Sequence, residues 1–165
     1  LNLKDCGIDS QGAQYLANSK ALHKLKSLNL SYNKIGDEGC QYLADSKHIT
    51  GLERLVLRNC EIGFFGIRAF CNAPVLNKLK ILVLSENPEI DNLCLDQINL
   101  SKPLSHIEEL YLEGCSITAN GIVRCCEDKS LPRLVVLRIF GNEIGPVIGE
   151  ELKKELKIQR PIKIC

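Results

Sequence analysis

The sequence predicts an α/β solenoid of about six units, with a parallel concave sheet backed by convex helices, and three observations carry that expectation. An aliphatic strand motif recurs every 27 residues, with one interval of 28. Three residues after the last aliphatic of each motif stands a Cys or an Asn, in strict alternation. A stretch with helical apolar spacing follows, opened in most units by a glycine.

The strand motifs are Leu25-Lys-Ser-Leu28-Asn-Leu30, Leu52-Glu-Arg-Leu55-Val-Leu57, Leu79-Lys-Ile-Leu82-Val-Leu84, Ile107-Glu-Glu-Leu110-Tyr-Leu112 and Leu134-Val-Val-Leu137-Arg-Ile139, with a partial copy at Leu1-Asn-Leu3. Successive strand side chains point to opposite faces, so the aliphatics at period 2 turn inward and the residues between them outward. Leu22, Ile49, Leu76, Leu104 and Leu131 close each unit three residues before the next strand. No unit can bury its apolar face alone, so the units must stack. The first unit, with Leu1 and Leu3, presents an open core edge that a polar cap, a partner or preceding residues would cover.

The alternating positions are Cys6, Asn33, Cys60, Asn87, Cys115 and Asn142, followed by Ile8, Ile35, Ile62, Ile90, Ile117 and Ile144. An Asn side chain both donates to and accepts from turn backbone, and Cys fills the same slot as a small apolar residue with a weak S–H donor, so both suit a buried bend. On this reading Cys6, Cys60 and Cys115 are buried, reduced and structural. Gly12, Gly39, Gly66 and Gly121 open the helical stretches, with Asp9 or Ser10, Asp37 and Thr118 placed as N-caps. Leu16, Leu43 and Phe70, four residues after the glycines, form the face toward the strands. The fourth unit, Asn87 to Leu100, lacks the glycine and carries Pro88, so its convex segment is expected to be an irregular turn. In the last unit Gly145-Pro146 suits the first turn of a helix running to about Lys157, and residues 146–165 are expected to form a capping helix and tail.

These residues resemble leucine-rich repeats of the ribonuclease-inhibitor-like class: the period, the helix in every unit and the Cys/Asn alternation match its pattern over nearly the whole chain. The resemblance implies a leucine-rich-repeat horseshoe. The wording Ile35-Gly-Asp-Glu-Gly39 followed by Tyr42-Leu-Ala-Asp-Ser-Lys47 is also similar to repeats of bacterial effectors of the Legionella type. That likeness implies a protein partner, a host protein or another effector, and residence in the host cytosol.

Composition narrows the function. The 21 basic and 20 acidic side chains leave a net charge of +1, so no global field draws the chain to nucleic acid or anionic lipid. Basic residues look scattered along the sequence, and four Phe and four Tyr offer little for base stacking, so neither a nucleic acid nor a membrane is expected as partner. The 165 residues fit one domain, read as a piece of a longer protein because the chain opens inside an apolar alternation. Nine cysteines placed by the repeat point to reduced thiols and a cytoplasmic setting. His23, His48 and His106 fall at nearly one phase of the repeat, ahead of a strand, and read as solvated loop residues. Cys125-Cys126 has no second ligand pair for a metal, and Cys125, four residues after Gly121, reads as core. No nucleophile, base and stabiliser converge, so no catalytic, cofactor or metal residues are assigned and the chain is read as non-enzymatic.

The outward strand residues form three rows across the sheet. The middle row is Asn2, Asn29, Val56, Val83, Tyr111 and Arg138; the row before it is Ser27, Arg54, Ile81, Glu109 and Val136; the row after it is Lys4, Ser31, Arg58, Ser85, Glu113 and Phe140. At about 4.8 Å per strand the rows span roughly 25 to 30 Å, the scale of a protein interface. Apolar and aromatic groups at Val56, Ile81, Val83, Tyr111, Val136 and Phe140, flanked by Arg54, Arg58, Arg138, Glu109 and Glu113, match the composition of binding hot spots. The expected function is a protein-protein interaction module that grips a folded partner on its concave face; the resemblance to ribonuclease-inhibitor-like repeats implies the sharper form, in which the partner is an enzyme whose active site it covers. The alternative is a substrate-recognition domain of a larger enzyme, such as a ligase or transferase.

Overall fold

The computed structural model describes residues 1–127, 131–144 and 163–164. Short strands alternate with helices: α1 (Ser10–Asn18), β1 (Ser27–Asn29), α2 (Gly36–Ala44), β2 (Arg54–Val56), α3 (Phe64–Cys71), β3 (Ile81–Val83), α4 (Asn92–Leu100), β4 (Glu109–Tyr111), α5 (Ala119–Glu127), β5 (Val136–Arg138) and β6 (Lys163–Ile164). All strands pair in parallel in chain order, as one sheet. The helices stack beside one another as the strands do, α1 on α2 through α4 on α5.

Register follows the aliphatic repeat. Leu28 pairs with Leu55, Leu55 with Leu82, Leu82 with Leu110 and Leu110 with Leu137, and an isolated bridge joins Asn2 to Asn29. β6 pairs Lys163 with Val136 and Ile164 with Leu137, so the 27-residue phase persists to the far side of β5. The capping helix expected from Gly145-Pro146 lies outside the described residues. Leu28, Leu55, Leu110 and Leu137 are fully buried and Leu82 nearly so, and the unit-closing Ile49, Leu76 and Leu104 lie beneath them. A core shared between units in this way cannot be divided, which makes the stack cohere.

The Asn positions clamp neighbouring units together. Asn87 is fully buried; its Nδ2 donates to the carbonyls of Leu57 (2.9 Å) and Leu84 (2.7 Å), and its Oδ1 accepts from the backbone N–H of Cys60 (2.9 Å) and Ile62 (3.1 Å). Asn33 repeats the pattern with Leu3, Leu30, Cys6 and Ile8, and Asn142 with Leu112, Ile139 and Ile117. Each Asn thus serves its own turn and the turn before it, and the intervening unit can place a Cys there. Cys60 and Cys115 are buried, and each thiol donates back to a carbonyl of the preceding unit, Leu30 (3.2 Å) and Leu84 (3.6 Å). Cys6 departs from the expectation: it is exposed, and among the described residues its thiol donates to the carbonyl of Lys4 within its own turn.

The recurring glycines mark close approach. A Cβ on Gly39 would stand 2.6 Å from Cγ2 of Ile35 and 3.2 Å from Cβ of Ala13, so the helix start fits only without a side chain. The fourth unit nevertheless forms a regular helix. Cys94 takes the glycine's place and is fully buried, and Asp91 caps α4 by accepting from the N–H groups of Leu93 and Cys94. The extra residue is absorbed before Ile90, leaving the spacing from Ile90 to the helix unchanged. Asp9 caps α1 as expected. Asp37 does not cap its own helix: it lies inside α2 and accepts from Gly63 N–H (2.7 Å), at the start of the next unit's helix. Thr118 precedes α5, where its hydroxyl and N–H meet the side chain of Asn92 from the unit before.

Candidate functional site

The outward rows lie where the register requires. Asn29, Val56, Val83, Tyr111 and Arg138 are cross-strand neighbours in the middle row, and Ser27, Arg54, Ile81, Glu109 and Val136 in the row before it. The row after it lies just past the strands, held by parallel backbone bonds such as Tyr32 N–H to Arg58 and Gly114 N–H to Phe140. The aliphatics that alternate with these rows share one core with the helices, whereas most side chains of the rows themselves are half-buried or exposed.

Exposure within the rows is uneven. Phe140 is 82% exposed, and Arg54, Arg58 and Arg138 are open, whereas Ile81, Val83, Tyr111 and Val136 are half-buried. Val56 is only 7% exposed between Asn29 and Val83, so it supports the face more than it presents itself. Ser31 and Ser85 are likewise buried.

Polar groups around the apolar residues hold one another in place. Arg58 pairs with Glu86, which also accepts from the Tyr32 hydroxyl at 3.0 Å, and these donors hold the Glu86 carboxyl below its ordinary range. Glu113 bridges Ser85 (2.5 Å) and Arg138 (2.9 Å), and the Arg138 guanidinium lies 5.7 Å from the Tyr111 ring centre. The Tyr111 hydroxyl donates to Glu109 at 2.6 Å, and that bond, with partial burial, pushes the phenol above its usual range. Tyr111 is therefore fixed at both ends, by a cation over its ring and a carboxylate on its hydroxyl, the pre-organisation expected of an anchoring side chain.

Tyr32 and Glu86 were not singled out by the strand rows. Both adopt left-handed backbone, at φ 59° and 60°, in the slot that Gly114 and Gly141 occupy in later units. Such a conformation costs a non-glycine residue of the order of 1 kcal/mol or more. The slot is left-handed in all six units, filled by Asp5, Tyr32, Asn59, Glu86, Gly114 and Gly141, so the residue type there gave no signal that set Tyr32 and Glu86 apart.

The remaining candidates fall where packing places them. Cys125 is buried and its thiol meets Asn99 Oδ1 at 3.2 Å; the side chains of Cys126 and Cys165 lie outside the described residues. His23 is exposed and His48 and His106 partly so, at the edge where chain enters the sheet. Among the described residues no group of three His, Cys, Asp or Glu is placed to hold a metal ion, and no helix is long and apolar enough to cross a membrane.

A leucine-rich-repeat family model matches residues 1–17 and 21–44. The crystal structure of an internalin (inlF) from Listeria monocytogenes superposes with a TM-score of 0.58 at 24% identity, over 81% of this chain and 33% of that one. The fold is a leucine-rich-repeat solenoid. A second Listeria monocytogenes structure, internalin C2 (inlC2), aligns with all of this chain and 79% of its own at a TM-score of 0.55 and 18% identity. The chain spans about a third of the length of the first of these internalins. No curated protein matches it in sequence.

Proposed function

We propose that this solenoid is a non-enzymatic module that binds a folded protein across its concave sheet. The observation that carries the reading is the patch made by Val83 and Tyr111, register neighbours in the middle row, with Ile81 and Val136 on either side of Glu109 in the row before it, framed by the Arg58–Glu86 and Arg138–Glu113 pairs. Stacked repeats create extended concave surfaces of this kind for binding. Aromatic and Arg side chains amid half-buried apolar groups are the usual anchors of protein interfaces.

The finer reading is that the partner is an enzyme whose active site the curved sheet covers, in the manner implied by the likeness to ribonuclease-inhibitor-type repeats. The Legionella-type repeat wording extends it to a bacterial effector acting on a host enzyme, or on another effector, in the host cytosol. Capture with the isolated chain, compared with the double variant Tyr111→Ala/Phe140→Ala, tests the proposal. A partner held by the wild type and lost by the variant supports it; a partner retained by the variant and lost on substituting exposed helix residues moves the site to the convex face.

A further inference from the structure

The net charge of +1 conceals a polarity across the solenoid. Because all strands are parallel, one edge of the sheet gathers the segments that enter strands and the other gathers those that leave them. Among the described residues, the entering segments 19–26, 46–53, 73–80, 101–108 and 131–135 hold eight Lys and Arg against two Glu. The leaving segments 4–9, 31–37, 58–63, 85–91, 113–118 and 140–144 hold three Lys and Arg against nine Asp and Glu.

Fold stability accounts for the acidic edge. Asp9 and Asp91 cap helices, Asp37 receives the Gly63 N–H, and Glu86 and Glu113 are bound to arginines. Helix N-termini at that edge favour negative charge in any case. The basic edge has no matching explanation. Favourable charge at a helix C-terminus acts within the last turn, and α1, α2 and α4 carry no basic residue there. The lysines lie beyond the helices, in the loops that lead into strands.

Three of these eight cations, joined by His106, meet at one place. Lys78, Lys80, His106 and Arg133 line an open cleft of about 300 Å³ together with Glu53 and Asn77. Glu53 is taken first by Lys26 at 2.7 Å and lies 4.0 Å from Lys80. Among the described residues neither Lys78 nor Arg133 makes an ion pair, and both are exposed. The cleft runs into the candidate binding face, since Lys80 immediately precedes Ile81 and the exposed Val135 precedes Val136.

We propose that this cleft receives a carboxylate-rich segment of the protein partner and so fixes the direction in which the partner lies across the sheet. The proposal rests on the concave-face reading and adds the partner's chemistry and polarity. Basic side chains spread along the edge, Lys78 and Lys80 from one unit and Arg133 two units on, suit several separated carboxylates on an extended segment. A compact phosphoryl group would call for clustered, bidentate arginines, and Arg133 stands alone. A nucleic acid would call for aromatic platforms, which the cleft lining lacks.

The test uses the full chain and a fluorescent hexaglutamate peptide at about 50 mM salt, where exposed charges are weakly screened. Binding read by anisotropy, with amide shifts confined to the entering segments, is expected; it should weaken about tenfold in Lys78→Glu/Arg133→Glu, the loss of two exposed charge contacts. Glu61→Gln/Glu89→Gln on the opposite edge should leave it unchanged, with unaltered circular dichroism melts showing that both variants fold. No binding, equal effects of the two double variants, or tighter capture of a single-stranded oligonucleotide by the same residues each overturns the proposal. Tyr111→Ala should keep the peptide, so failure of the cleft and failure of the concave face are read separately.

Discussion

Replacing Asn87 with Ala should be among the most damaging single changes in this chain. The side chain is fully buried and makes four hydrogen bonds of 2.7 to 3.1 Å that tie the third unit's turn to its own. Removing it leaves two N–H groups and two carbonyls without that partner inside the stack. Each buried bond is worth about 1 kcal/mol net, and an orphaned group costs about 1 to 3. Some relaxation reduces the sum, so a loss of about 4 kcal/mol is expected, which for a chain of this size lowers the melting temperature by about 12 °C. Circular dichroism melts give the stability, and hydrogen exchange gives the location: the amides of Cys60 and Ile62, bonded to Asn87, should lose protection before those of Leu28 or Leu55 in the strands. A destabilisation below about 1 kcal/mol, or one no larger than that of Cys115→Ala, would refute the view that one Asn holds two turns together.

Three further outcomes follow from the same physical account. Among the described cysteines, only Cys6 should react quickly with iodoacetamide near neutral pH, because burial pushes the thiols of Cys60 and Cys115 up to about 11 and those of Cys71 and Cys94 to about 12, leaving almost no thiolate; rapid labelling of Cys60 in mass spectra of the native chain would contradict this. Gly39→Ala should cost about 2 kcal/mol in denaturant titrations, since its Cβ would meet Cγ2 of Ile35 at 2.6 Å, and a change under about 0.5 would show that the helix start has room. Glu86→Gln should lower the melting temperature at neutral pH but not in acid: the carboxyl is held below its ordinary range by Arg58 and Tyr32, so its contribution is present above the unfolded value and lost as pH falls through the folded one, and a difference that does not shrink on acidification would count against the ion pair as its source.

The solenoid was legible because its signal is repeated. One strand motif is ambiguous, but six at a fixed spacing determine period, register and inward face together, and Leu28, Leu55, Leu82, Leu110 and Leu137 stand in one buried line as the spacing requires. What the pattern missed involves contacts between units. Asp37 looked like a cap for its own helix and serves the next one, because the following unit lies as close as its own backbone. The fourth helix looked broken for want of a glycine, yet Asp91 starts it and Cys94 fits the slot. Alternation placed Val56 outward without showing that its neighbours would close over it. Basic residues looked scattered along the chain, and only folding sorts them to one edge, since positions about 27 residues apart become neighbours.

The most direct test of the central claim is the affinity of a captured partner for Tyr111→Ala compared with Arg68→Ala on the exposed face of α3. Tyr111 is held by Glu109 and Arg138 in the middle of the outward rows, so its truncation removes a pre-organised contact. The expected loss is about 2 kcal/mol or more, roughly thirtyfold in Kd, against no measurable change for Arg68→Ala. Unchanged affinity for Tyr111→Ala together with a loss for Arg68→Ala would contradict a concave binding face.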